Sequence, residues 1–225
     1  MTQGESIDRR PLASRKLAIW QYAARLLAKR GITPNFISAL SMVFGVGSGI
    51  ALGCTTLVPE PWWRLLFVAG AVLTQLRLLC NMLDGMVAME QHSASPVGEL
   101  YNEIPDRVSD TATLVGLGFA LGGNPTLGFA AALLAMFTAY IRAMGKAAGG
   151  PQQFCGPMSK PQRMFTVTVT ALYCGLAPVA WQPVVAAWQP LGVPALALAL
   201  ICVGAALASV RRLGRAARAL RAEKP

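Results

Sequence analysis

Asn81, Asp84, Asn102, Asp106 and Asp110 place oxygen-bearing side chains at intervals of three and four residues within one stretch, NMLDGMVAMEQHSASPVGELYNEIPDRVSD, which runs from 81 to 110. Six of the chain's ten acidic residues lie there: Asp84, Glu90, Glu99, Glu103, Asp106 and Asp110. Residues three or four apart share one face of a helix, so Asn81 and Asp84 form one stripe and Asn102, Asp106 and Asp110 a second. Gly85 and Gly98 leave backbone bare beside the stripes, where a bulky ligand can approach. Two facing helices so equipped offer hard oxygen ligands suited to Mg2+ or Mn2+.

The elements that must hold these stripes are apolar. Hydrophobic residues make up 54% of the 225-residue chain and charged residues 13%, with a mean hydropathy of +0.48. Several runs approach the ~20 residues needed to cross a bilayer core. The expected fold is all-α, a polytopic membrane protein with helices over 34–57, 62–83, 97–121, 126–147, 162–181 and 190–210. An amphipathic helix over about 12–30 precedes them, with Leu17, Trp20, Ala24, Leu27 and Ala28 on one face and Arg15, Lys16, Arg25, Lys29 and Arg30 flanking it, a composition suited to the headgroup boundary. Gly31 ends it and Thr33-Pro34 opens the first membrane helix as an N-cap followed by proline. The division is therefore 1–33 interfacial, 34–210 membrane domain and 211–225 basic tail. Gly45, Gly47 and Gly49, and Gly116, Gly118 and Gly122, permit close helix contact.

The formal charge of +10 raises nucleic acid as a partner, but its distribution argues against that. Seven cations precede the first apolar run and six follow the last, as membrane flanks require. Connections near 58–61, 122–125 and 182–189 hold no Lys or Arg, whereas the opposite side carries Arg107, Lys146, Lys160 and Arg163. Both termini and the acidic stretch are thus expected to face the cytoplasm, where a divalent ion most often holds phosphate. Trp62, Trp63, Trp181 and Trp188 fit an aromatic belt at the other boundary. The five cysteines are scattered and support neither a disulfide framework nor a zinc site. The first thirty residues contain no cleavable apolar region. His92 is alone, Ser93, Ser95 and Ser109 lack a catalytic partner at motif spacing, and no P-loop is present.

The stretch from Asn81 to Asp106 resembles the signature of the CDP-alcohol phosphotransferases, D-x2-D-G-x2-A-R-x8-G-x3-D-x3-D. Asp84, Gly85, Ala88, Gly98 and Asp106 match without a gap, while Asn81, Asn102 and Met89 stand where the pattern has Asp, Asp and Arg. Thr33-Pro34-Asn35 and the six-helix layout are also similar to the family. The resemblance implies transfer of a phosphatidyl or related group from a CDP-linked donor, with CDP-diacylglycerol expected, to an alcohol acceptor with release of CMP. It further implies one or two Mg2+ or Mn2+ ions at Asn81, Asp84, Asn102 and Asp106, with Asp106 as the general base. Asn35, Gly85, Ala88 and Gly98 are expected at the donor, and Arg142, Lys160 and Arg163 at the acceptor or its phosphate. A homodimer in a bacterial inner membrane is implied as well, with phosphatidylglycerophosphate synthesis as the default reaction.

The two asparagines lower the formal charge at the aligned positions from −4 to −2. They keep a carbonyl oxygen but no negative charge. Asp110, or Glu99 or Glu103, is expected to compensate as a further ligand. Two outcomes follow: a substrate-specialised enzyme, or an impaired member that binds lipid or acts as a scaffold.

Overall fold

Proline and hydroxyl caps set where the helices begin. A computed structural model describes residues 17–91, 96–185 and 191–222, with the side chains of 96–102 and 222 outside the described residues. It contains α1 (Ala18–Lys29), α2 (Pro34–Gly53), α3 (Trp62–Glu90), α4 (Pro96–Phe119), α5 (Pro125–Ala147), α6 (Lys160–Leu176) and α7 (Val193–Ala222). The Thr33 hydroxyl accepts from Phe36 N–H and the Asn124 amide from Leu127 N–H, each just ahead of a proline that lacks the donor a first turn leaves unpaired. Gly31 closes α1 at φ +73°, a left-handed conformation that favours glycine. Among the described residues the only β-type pairing is an isolated bridge between Val185 and Leu191.

The helices run alternately up and down. At one end, Leu121 N–H donates to Thr55 Oγ1 at 2.9 Å, Gly192 N–H to the Gly122 carbonyl at 3.0 Å, and Arg64 to the Ala177 carbonyl at 2.9 Å. Around them a core forms from Leu52, Phe67, Leu114, Leu117, Met164 and Leu198. At the other end, Gln91 donates to the Ile32 carbonyl and Arg212 to the Cys155 carbonyl. The α2–α4 seam is the closest: a Cβ on Gly116 would overlap the Gly49 carbonyl oxygen, and one on Gly45 would overlap Ser109. Along the neighbouring α2–α3 seam, the Ser38 and Ser41 hydroxyls of α2 reach Asp84 and Asn81.

Three boundaries differ from expectation, each for a packing or backbone reason. α3 continues past 83 to Glu90, because Met82, Met86 and Val87 keep the helical period and pack with Ala24 of α1. α6 stops at Leu176, since Ala177 precedes Pro178 and proline disfavours a helical residue before it. α7 runs through the basic tail, where Ala216 lies against Gly145 and Leu220 against Gly150, so 211–222 is not a separate segment.

Among the described residues four helices, α2 with its short 3-10 extension, α3, α5 and α7, are long and apolar enough to cross a membrane. α4 carries charge in its first half, and α6 has 17 residues, about 26 Å at 1.5 Å per residue. Trp62 and Trp181 are exposed at one end, but Trp63 is buried edge-on against Phe67 and belongs to the core. His92, Ser93, Ser95, Trp188 and the cations before Leu17 lie outside the described residues.

Candidate metal and phosphate site

The motif remains on helix throughout α3, so Arg77, Asn81 and Asp84 fall on one face at spacings of four and three. Asp84 is buried, with 2% of its surface exposed. Ser38 of α2 donates to its Oδ2 at 2.8 Å and Gly85 N–H to its Oδ1 at 2.5 Å. Among the described residues no cation forms an ion pair with it. Asn81 accepts a hydrogen bond from Ser41 through Oδ1 and donates through Nδ2 to Asp106 Oδ1. An aspartate at 81 would instead face Asp106 as a like charge.

On α4 the surroundings reverse. Asp106 accepts from Asn81, from Arg77 at 3.4 Å, and from Lys160 on Oδ2. Asp110 receives Arg77 on Oδ1 at 2.6 Å and Arg163 on Oδ2 at 3.2 Å. The Arg77 side chain is fully buried and Asp110 and Arg163 are 3% exposed, whereas Asp106 and Lys160 retain 13% and 23%. Asp106 and Lys160 therefore line the accessible edge, and the other three support it from behind. Lys160 is placed there by the start of α6, where the Gln162 side chain accepts from Ser159 N–H at 2.9 Å.

Asp110, expected as a further metal ligand, has both oxygens occupied by guanidinium groups. Arg163, expected to receive phosphate, is buried between Asp110 and the Met158 carbonyl, leaving no exposed face for an anion. Glu103 accepts from Arg107 at 3.2 Å and Arg142 at 2.9 Å instead of joining the oxygen cluster. Arg142 keeps 27% of its side chain exposed and stacks over Phe154, so it remains open to an anion. Asn35 is exposed at the start of α2, one turn before Ser38. Gly85 is buried and Ala88 half-buried on α3, and Met89 points outward. Gly98 lies on α4, but the side chains of Glu99 and Asn102 are outside the described residues.

Ser38, Ser41 and Arg77 were not expected at the site. Arg77 had a sequence signal: a lone cation in an apolar run, four residues before Asn81. Ser38 and Ser41, three apart on α2, carried a weaker one.

Asp84 provides the test for a divalent ion. A buried carboxylate without a cation is costly, and its hard oxygens beside those of Asn81 and Asp106 are the chemistry Mg2+ or Mn2+ prefers. Asp84 fits such an ion with Asn81 as a neutral oxygen beside it, though among the described residues no three acidic, His or Cys side chains converge there; Asp106, already engaged by Lys160 and Arg77, is satisfied without one.

The motif spacing and the helical frame that carries it define a membrane-embedded transferase architecture, and the chain belongs to the CDP-alcohol phosphotransferase family. It is 30% identical over 176 residues to a phosphatidylinositol phosphate synthase of Mycolicibacterium smegmatis, covering 73% of each chain. It is 24% identical over 152 residues to the inner membrane protein YnbA of Escherichia coli, covering 68% of this chain and 73% of that one. Among solved structures, the phosphatidylinositol phosphate synthase PgsA1 of Mycobacterium tuberculosis in complex with manganese and citrate shares the fold. Its TM-score is 0.73 at 22% identity, over 92% of each chain. The same enzyme with CDP-DAG bound matches with a TM-score of 0.71 over 89% of this chain and 94% of that one. No protein-family model matches the chain.

Proposed function

We propose that this protein transfers a phosphatidyl group from CDP-diacylglycerol to the hydroxyl of a phosphorylated alcohol, releasing CMP, as a divergent family member with Asn81 and Asn102 at two aspartate positions. The observation that carries this reading is the buried carboxylate of Asp84, which has no ion-pair partner among the described residues, one helical turn from Asn81, which is itself bonded to Asp106. The manganese in the related PgsA1 structure and the CDP-DAG bound in another support the same donor and the same class of ion.

Asp84 would hold the divalent ion, with Asn81 and the motif position Asn102 offering further oxygens, while Asp106, engaged by Lys160 and Arg77, stays outside its ligand set. A divalent ion held there would supply positive charge to the pyrophosphate and to the departing CMP. Asp106 takes the proton of the acceptor hydroxyl as its oxygen bonds to phosphorus and the bond to the CMP phosphate breaks. Arg77 and Asn81 orient Asp106. Lys160 and the half-exposed Arg142 meet the acceptor's phosphate, Asn35, Gly85, Ala88 and Gly98 line the donor's path, and Arg163 supports Asp110. The names of the relatives make inositol phosphate the first acceptor to test and glycerol phosphate, the default from sequence, the second.

All six helices α2 to α7 cross a bacterial inner membrane in this reading, α1 lies at the headgroups, both termini face the cytoplasm, and two chains pair. The deciding assay is CMP release by purified protein with CDP-diacylglycerol, Mg2+ or Mn2+ and a panel of inositol phosphate, glycerol phosphate, inositol and serine. Turnover confined to the phosphorylated alcohols is expected. No CMP above an Asp106→Ala control with any acceptor leaves the competing reading, a lipid-binding protein without turnover, which draws on Asp106 being held by Lys160 and Asn81.

A further inference from the structure

We infer that this chain binds a single divalent cation, at Asp84, and that the Lys160 ammonium supplies at Asp106 the positive charge a second ion would bring. The inference deepens the transferase reading and rests on it for the identity of the ion.

The charges are unevenly shared. Three carboxylates, Asp84, Asp106 and Asp110, meet three cations, Arg77, Lys160 and Arg163, so the cluster is formally neutral before any ion arrives. Yet among the described residues every ion pair these three cations make falls on Asp106 and Asp110, and none on Asp84. Among the described residues, Asp84 accepts only from the Ser38 hydroxyl and its neighbour's N–H. The missing positive charge is therefore localised on one carboxylate.

At Asp106 the opposite holds. Lys160 occupies Oδ2, while Asn81 and Arg77 occupy Oδ1. A divalent ion approaching Asp106 would have to displace the ammonium and would face Arg77, a fully buried charge that cannot move into solvent. Asn81 contributes to the same end. Its amide N–H satisfies Asp106 directly, whereas a carboxylate at 81 would need a cation between the two. Asn81 and Lys160 thus act together: one removes a negative charge from the cluster, and the other places a fixed positive charge where the vacated ligand pair would have drawn an ion.

Mn2+ binding to the purified full-length chain in detergent, without substrate, tests this by counting bound ions from the loss of the free-ion electron paramagnetic resonance signal. One Mn2+ per chain is expected, with the spectrum of an isolated ion. Lys160→Arg keeps the charge and is expected to remain at one. The double variant Asn81→Asp with Lys160→Met is expected to take two, with the broadened spectrum of a coupled pair. Asp84→Asn is expected to lose the ion from the otherwise native chain. Two ions in the native chain, or one in the double variant with native helicity, overturns the inference while leaving the transferase reading intact. No ion in the native chain overturns both the inference and the metal assignment. Failure of the transferase reading itself would appear separately, as one bound ion without CMP release.

Discussion

The two ends of the bundle are held by different physics. At the end formed by Thr55, Gly122 and Gly192, polar contacts run mainly to backbone groups, and the one arginine, Arg64, bonds to the carbonyl of Ala177, pairs with exposed Glu60 and stacks on Trp63. At the motif end, helices α3, α4 and α6 meet through buried carboxylates and cations. Neutral bonds fix geometry alone. The ionic end fixes geometry and net charge together, so removing any member changes both the position of its partners and the ion the site can accept.

The sharpest way to break that comparison is at the accessible edge. Asp106→Ala should lower CMP release by about 10²–10⁴-fold, the range for loss of a positioned general base, with the helical fold retained by circular dichroism. Behind the edge, Arg77→Met leaves Asp110 with Arg163 alone in a closed setting and should destabilise the protein by about 3–5 kcal/mol, read as a lower thermal midpoint in detergent. At the neutral end, Thr55→Val keeps the shape but leaves the Leu121 N–H without its acceptor, at a cost of about 1–3 kcal/mol in the same measurement. Glu60→Gln, at an exposed pair, should change stability by about 0–1 kcal/mol in the same measurement. If Thr55→Val proves as damaging as Arg77→Met, the contrast between the ends is lost.

The apolar runs made the helices legible, because burying them demands continuous intramolecular backbone bonding. The Thr33-Pro34 cap placed the start of α2, and α5, expected from 126, begins at Pro125. Ends were harder to read where packing overrides local signals: α3 continues through Gly85 because Met86 and Val87 have Ala24 to pack against. In the site, the spacing of Asn81, Asp84 and Asp106 was plain, since it lies within single helices. Which cation meets which carboxylate was not. Asp110 and Arg163 are 53 residues apart and Lys160 and Asp106 are 54, and only the packing of α6 against α3 and α4 brings them together. Arg163 and Asp110 each carried a reasonable functional expectation from type and position, and the structure pairs them with each other.

The bond from Arg212 to the Cys155 carbonyl carries a mechanical implication. Arg212 is buried far along α7 and also donates to Thr138 of α5, so it pins the connection between α5 and α6 to two helices at once. Lys160 follows that connection by a few residues. The last helix therefore works as a strut for a lysine it does not touch, and shortening the chain before Arg212 would loosen the charge at Asp106 from a distance.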